Sequence, residues 1–164
     1  LSDPSSPQGQ AIELLAEDPQ LGDYSSFQVL QRYVLGVFYF STGGEFWNND
    51  DGWLSASNEC EWYSDTFSDP CSQDRRYVSL SLIENELEGE IPQELELLTA
   101  LRDIDLEGNF LSGTIPRLAN LVNLEGLFLF DNLLSGEIPS SLGALTSLTA
   151  LDLDFNVLIG NIPS

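Results

Sequence analysis

The feature that most constrains this chain is a segment of 23 or 24 residues that occurs four times in succession. The copies begin at Tyr77, Leu101, Leu124 and Leu148, so their starts lie 24, 23 and 24 residues apart. The third copy reads LEGLFLFDNLLSGEIP: apolar residues alternate, and an Asn and a Gly-x-Ile-Pro turn follow. Self-similarity with a period of this size predicts a solenoid, in which each repeat buries its apolar face against its neighbours.

The alternating part of each repeat predicts a strand with one buried face, because successive side chains of a strand point to opposite sides. Stacking the four copies then gives a parallel sheet with its leucines inside. The residues predicted to face the core are Leu80, Leu82, Ile104, Leu106, Leu127, Leu129, Leu151 and Leu153. The residues between them, such as Ser79, Ser81 and Ile83, are predicted to face the other way.

An asparagine follows each predicted strand, at the point where the chain turns away from the sheet. A buried amide can donate and accept hydrogen bonds, so a stacked column of amides can satisfy the backbone groups that such a turn leaves free. We therefore expect a structural ladder formed by Asn85, Asn109, Asn132 and Asn156.

The repeat spacing L-x-x-L-x-L-x-x-N-x-L-x-G-x-I-P resembles the plant-type leucine-rich repeat of receptor-kinase ectodomains and polygalacturonase-inhibiting proteins. The resemblance implies a leucine-rich repeat solenoid with a parallel β-sheet on its concave face, short second strands, a 3-10 or irregular convex side and a helical N-terminal cap. We accordingly divide the chain into an N-terminal arm (1–24), a Trp-rich cap (25–76) and four repeats (77–164), the last incomplete. Because the sequence stops just after Ile162-Pro163, we expect that the native chain continues or that a partner covers an apolar edge there.

The region before the repeats predicts two helices. A short one is expected from Ala11 to Glu17. A longer one begins at Ser25 or Ser26, has apolar residues at helical spacing up to Phe38, and ends at Gly43-Gly44.

The motif Cys60-Glu61-Trp62-Tyr63, with Cys71 shortly after it, resembles the N-terminal cap of extracellular leucine-rich repeat proteins. The stretch STGGEFWNNDDGWL (41–54) resembles the caps of algal and bacterial repeat proteins. The resemblance implies a Cys60–Cys71 disulfide, which would require an oxidising compartment outside the cytosol, extracellular or at the cell surface. The alternative is two free, buried thiols.

The charge of the chain restricts its partners. The sequence contains 27 acidic and five basic residues and no His, for a formal net charge of -22. This argues against nucleic acid, whose phosphates need cationic side chains, and against anionic membranes. It favours a basic protein partner and permits weak binding of divalent cations, although solubility alone also explains such a charge. The longest apolar run, Tyr33 to Phe40, is too short to cross a membrane.

The sequence contains no recognisable catalytic or cofactor motif. Without His, Ser-His-Asp and Cys-His catalysis are excluded, zinc sites lack ligands, and no phosphate-binding glycine loop occurs. The segment Asp103-x-Asp105-x-Glu107 resembles the start of a calcium loop, but Thr114 stands where that loop needs Glu. We therefore expect no enzyme, no cofactor and no metal site.

The concave face is the candidate binding site. Two aromatic residues of the third strand point to this face between acidic residues of the neighbouring strands, an arrangement typical of an interaction patch. The alternatives are a solvated strand face, or a face covered by the arm or by another subunit. The candidate partner-binding residues are Asp103, Asp105, Glu107, Phe128, Phe130, Asp131, Asp152 and Asp154, with Ile83 and Phe155 as possible extensions.

Three functions are compatible with these features. We favour non-enzymatic protein recognition or scaffolding outside the cytosol, through the concave sheet. The chain could instead be a structural subunit of a larger assembly. By analogy with polygalacturonase-inhibiting proteins, it could also inhibit a secreted hydrolase, which would then be basic.

Overall fold

The computed structural model describes residues 3–64 and 69–163. Parts of three predicted features lie outside the described residues. They are the start of the arm (1–2), the middle of the loop between the two cysteines (65–68) and the last residue of the fourth repeat (164).

Two α-helices begin the chain. Helix α1 spans Pro7–Glu17 and therefore starts before the predicted Ala11, because the Ser6 hydroxyl accepts a hydrogen bond from Gly9 N and Pro7 suits the first helical turn. Helix α2 spans Ser26–Ser41, as predicted, and begins with a capping box. Within residues 3–64 and 69–163, no helix has the length and apolar character needed to cross a bilayer.

The side chains of α1 explain why it lies against α2 instead of extending away from it. Ala11 and Leu15 are buried, and Gly36 of α2 lies opposite Ala11. A Cβ atom at Gly36 would lie 3.2 Å from Ala11 Cβ, so the two helices approach closely at this point.

The repeats form the predicted parallel sheet and a second set of shorter strands. The main sheet has the order β1-β3-β5-β7 and consists of Ser79–Ser81, Asp103–Asp105, Gly126–Phe128 and Ala150–Asp152. The second strands are β2 (Glu88–Glu90), β4 (Phe110–Ser112), β6 (Ser135–Glu137) and β8 (Val157–Ile159), and they pair as β2-β4 and β6-β8. The remaining turns include 3-10 helices at Leu21–Asp23, Gly44–Phe46, Glu59–Glu61, Gln93–Leu97 and Ser140–Ala144. This arrangement confirms the predicted leucine-rich repeat fold.

The core-facing leucines are buried as predicted in the first three repeats, and the fourth repeat differs. Leu151 is 46% exposed and Leu153 is partly buried. These two side chains are more exposed because, within the described residues, a neighbouring repeat packs against them on one side, the side of β5. Exposure of Ser81 also differs from the expectation: Ser81 is buried, and the cap residue Ser64 donates its hydroxyl to the Ser81 carbonyl.

The second repeat, which is one residue shorter than the first and third, takes a different path on the convex side. The first and third repeats have a 3-10 helix there, at Gln93–Leu97 and Ser140–Ala144, whereas residues 117–123 form turns. Leu118 adopts a left-handed conformation with φ 49° and still reaches the core with 1% exposure. The missing residue is thus accommodated by backbone strain instead of by a gap in the core.

The asparagines after the strands hydrogen-bond to the backbone of a neighbouring segment, and Asn109, Asn132 and Asn156 also bond to the backbone of their own turn. Asn109 accepts from the backbone N–H groups of Asn85 and Leu87 and donates to the carbonyls of Leu82, Leu106 and Glu107. Asn132 and Asn156 make equivalent bonds. Asn85 accepts from Asn49 N and donates to the Asn49 carbonyl, so its amide bonds to the cap. The amides therefore join successive repeats along the solenoid.

The cap is organised around a buried arginine and a disulfide. Arg32 is 4% exposed, donates to the carbonyls of Ser55 and Ser57, and forms ion pairs with Asp18 and Glu59 at 3.4 and 3.6 Å. Burial of this charge is tolerated because its donors meet carboxylates and carbonyls. Cys60 and Cys71 are joined by a disulfide, which on the chain-entropy model stabilises the fold by about 3 kcal/mol.

We predict that Asn109→Ala lowers the free energy of unfolding by at least about 2 kcal/mol, because it leaves buried backbone donors and acceptors without partners. Urea denaturation followed by circular dichroism measures the loss. Asn123→Ala is the matched control, since the Asn123 amide donates to the Thr99 carbonyl at the surface and its removal should cost less than about 1 kcal/mol. Equal losses for the two variants would contradict the structural role of the ladder.

Candidate functional site

The candidate site lies on the side of the four-stranded sheet opposite the leucine core, which we call the outer face; it is the face predicted to be concave. Strand register arranges its side chains in columns that run across the strands. One column contains Ser81, Asp105, Phe128 and Asp152, which are paired Cα to Cα in that order. The next column contains Ile83, Glu107, Phe130 and Asp154, because the backbone ladder continues past the strand ends, for example from Gly108 N to the Phe130 carbonyl.

The two aromatic side chains of the third repeat are adjacent on this face, and both are partly buried. The Phe130 ring contacts the Phe155 ring edge-on, with centroids 5.2 Å apart. Phe155 is 71% exposed and lies in the turn after β7. The structure thus brings the Phe130 and Phe155 rings together at one end of the outer face.

The predicted acidic residues lie around these aromatics. Asp105, Glu107 and Asp152 are partly buried, and Asp103 and Asp154 are exposed. Asp131, also exposed, lies in the turn after β5 beside the face. Its φ of 52° is left-handed, a conformation that Asp adopts more readily than most residues. Among residues 3–64 and 69–163, no group of three or more acidic or cysteine side chains is close enough to hold a metal ion.

One carboxyl group of the face has a perturbed acidity. Partial desolvation raises the pKa of Asp103 above its ordinary value, and the nearby Glu125 carboxylate raises it further, while Arg102 acts in the opposite direction. Arg102 and Glu125 are themselves an exposed ion pair at 3.9 Å. Partial burial and the Glu125 carboxylate together therefore disfavour ionisation of Asp103.

Sequence reasoning missed one residue of the site, Gly126. A Cβ atom there would lie 2.7 Å from Phe128 Cε2 and 2.9 Å from Asp103 Oδ1. The Phe128 ring therefore lies back along its own strand over Gly126, in space that any other residue would occupy. The signal was present, because glycine is an unusual outward residue in a strand that continues with two phenylalanines.

Comparison with known proteins agrees with the fold. Residues 123–145 match the family model described as Leucine Rich Repeat. The chain has the leucine-rich repeat fold. It is similar to a probable leucine-rich repeat receptor-like serine/threonine-protein kinase of Arabidopsis thaliana, with 35% identity over 118 residues, which cover 71% of this chain and 11% of the relative. The chain thus spans about a tenth of the length of this relative, and the match lies in the repeat part of the kinase.

Solved structures with a similar fold are receptor ectodomains of plants. The crystal structure of the PEPR1–AtPEP1 complex matches with a TM-score of 0.62 and 29% identity, over 73% of this chain and 18% of that chain. The Arabidopsis receptor kinase HAESA, solved with the peptide hormone IDA and the co-receptor SERK1, matches with a TM-score of 0.52 and 44% identity, over 55% of this chain and 15% of that chain.

We predict that Glu125→Gln lowers the pKa of Asp103 towards its ordinary value. The substitution removes a negative charge from the neighbourhood of Asp103 and frees the Arg102 guanidinium to act on it, so both effects have the same sign. Carbon-detected NMR titration of the Asp103 carboxyl measures the shift. Glu137→Gln, an exposed carboxylate on β6, is the control and should leave the Asp103 pKa unchanged. An unchanged or higher pKa in Glu125→Gln would contradict this electrostatic assignment.

Proposed function

We propose that the chain is a non-enzymatic recognition module that binds a protein or peptide partner through the outer face of its four-stranded sheet. The observation that carries this proposal is the pair Phe128 and Phe130, side by side on the outward side of β5. The leucine core lies on the opposite side of the strand, so neither phenyl ring is needed there. Aromatic side chains that are partly exposed next to one another on a rigid strand are typical of interaction sites.

The similar receptor ectodomains support this function. HAESA was solved with a peptide hormone and a co-receptor, and it is similar to 55% of this chain. Relatives that are kinases match this chain in their repeat part, and a repeat fold of this kind presents a surface without supplying a reaction centre.

The proposed compartment is extracellular or at the cell surface. The Cys60–Cys71 disulfide requires oxidising conditions. The similar structures are ectodomains of receptors, and the net charge of -22 suits a protein that stays soluble without binding nucleic acid.

The proposed partner is basic where it meets the outer face. The outward positions of β1, β3, β5 and β7 and of the residues that directly follow them include five carboxylates and no Arg or Lys. Charge complementarity of this kind increases the rate of association and disfavours acidic competitors. The five are Asp103, Asp105, Glu107, Asp152 and Asp154.

We predict that Phe128→Ala and Phe130→Ala each weaken partner binding by at least about 30-fold, the loss expected when an aromatic hot spot is truncated. The immobilised protein is exposed to extracellular fluid of its source organism, and retained proteins are quantified by mass spectrometry. A genuine partner is retained by the wild type and lost from both variants.

Phe110→Ala is the matched control, because Phe110 is an exposed aromatic of β4 outside the outer face. It should retain the partner as the wild type does. All variants are first checked for an unchanged circular dichroism spectrum. A partner that binds equally to the wild type, Phe128→Ala and Phe130→Ala would show that the outer face is not the binding site.

A further inference from the structure

Strand order places an aromatic strand between two acidic ones, and this order is the same in both columns of the outer face. The first column reads Asp105, Phe128, Asp152 across β3, β5 and β7. The second reads Glu107, Phe130, Asp154 along the continued backbone ladder. An aromatic side chain with a carboxylate on either side thus occurs twice. The two columns lie two residues apart along each strand.

Dimensions of a parallel sheet fix the size of this arrangement. Neighbouring strands are about 4.8 Å apart, so the two carboxylates of a column are separated by about 10 Å with the ring midway. An extended peptide places alternate side chains on one side about 7 Å apart. A peptide that crosses the strands therefore positions one side chain on the ring and the two flanking ones near the carboxylates, and the length and flexibility of Lys and Arg cover the remaining 2 Å or so on each side.

Both rings are held in place before a partner arrives. Phe128 lies over Gly126, where a Cβ atom would meet its Cε2 atom at 2.7 Å. Phe130 rests against the Phe155 ring at a centroid distance of 5.2 Å and an interplanar angle of 62°. A surface that is already ordered loses less conformational entropy on binding than a mobile one.

The first strand lies outside this arrangement. On β1 the outward residue Ser81 is buried, and the cap contacts its carbonyl through Ser64. The outward residues Ser79 and Ser81 also carry no charge. The pattern therefore extends over three strands, β3, β5 and β7, a width of about 10 Å that an extended segment of five residues, about 14 Å from its first to its last Cα atom, covers.

We propose that the outer face recognises an extended segment with the pattern basic–x–apolar–x–basic. The apolar side chain packs on Phe128 or Phe130, and the two cations approach the carboxylates of β3 and β7 while their alkyl stems lie along the ring. This inference rests on the proposed function and specifies its partner. A second copy of this chain is disfavoured as the occupant, because two faces with five carboxylates each repel one another.

The experiment is selection of a displayed library of random 12-residue linear peptides on the whole immobilised protein at about 0.15 M salt, where exposed charges still interact over a Debye length of about 8 Å. We expect the enriched peptides to share the pattern basic–x–apolar–x–basic. The strongest peptide is then synthesised with four variants: each basic residue changed to Glu, the apolar residue changed to Ser, and a scrambled sequence of the same composition. Each variant should bind at least about tenfold more weakly by fluorescence anisotropy.

Matched protein variants test the carboxylates directly. The double substitution Asp105→Asn and Asp152→Asn should weaken binding of the selected peptide at least about tenfold. The double substitution Glu88→Gln and Glu137→Gln changes the charge by the same amount on the second strands and should leave binding unchanged. Equal binding by the scrambled peptide, or equal effects of the two double substitutions, would overturn the proposal, since net charge alone would then explain the affinity.

Failure of this inference can be distinguished from failure of the proposed function. Enriched peptides that lack the pattern but lose binding in Phe128→Ala would overturn the inference and leave the outer face as the binding site. Peptides that bind independently of Phe128 and Phe130 would overturn both. Sedimentation of the protein as a dimer that dissociates in Phe128→Ala would identify a second copy of the chain as the occupant and would also overturn the inference.

Discussion

The hydrogen bonds of the asparagine ladder are the interaction on which the rest of the structure depends. Each strand of the sheet is short, three residues in every case, and the chain must then turn within the packed interior. A turn of this kind leaves backbone N–H and C=O groups away from water, where an unpaired group is costly. The amides of the ladder supply both donors and acceptors at this depth. Because Asn109, Asn132 and Asn156 each bond to their own turn and to the preceding coil, they also hold the repeats in register, and the columns of the outer face follow from that register.

The cap extends this ladder on the N-terminal side of the first repeat. Asn85 accepts from Asn49 N and donates to the Asn49 carbonyl, so a loop of the cap takes the position that a preceding repeat would have. On the side of the second strands, Glu88 N donates to the Thr42 carbonyl at the end of α2. Gly89 is needed there because its φ is 114° and a Cβ atom would collide with the Ser41 carbonyl. The helical cap thus provides hydrogen-bond partners for the first coil, through backbone groups like those that join the repeats.

Much of the fold could be predicted from the sequence, because the same pattern occurs four times and each copy adopts a similar local structure. Alternation predicted which face of each strand is buried, and the pair Ser25 and Ser26 indicated the start of α2. The features that could not be predicted depend on contacts between distant segments. Ser81 follows the outward pattern but is buried next to the cap, and the environment of Arg32 combines Asp18 from the arm with Glu59 from the disulfide region. Gly126 was visible in the sequence, yet its role depends on where the Phe128 ring lies.

The turn after each strand connects the ladder with the candidate site. The residue just before each ladder asparagine is left-handed in all four repeats, with φ between 47° and 67°: Glu84, Gly108, Asp131 and Phe155. Glycine adopts this conformation without strain and aspartate with little, but a bulky aromatic residue does so at a cost of order 1–3 kcal/mol. The ladder imposes the turn, so the fold tolerates the strain at Phe155. Nothing in the turn requires an aromatic side chain, however, because three other residue types occupy the same position in the preceding repeats. The phenyl ring at this strained site lies against Phe130, which is the arrangement expected if the position serves the outer face and not the stability of the coil.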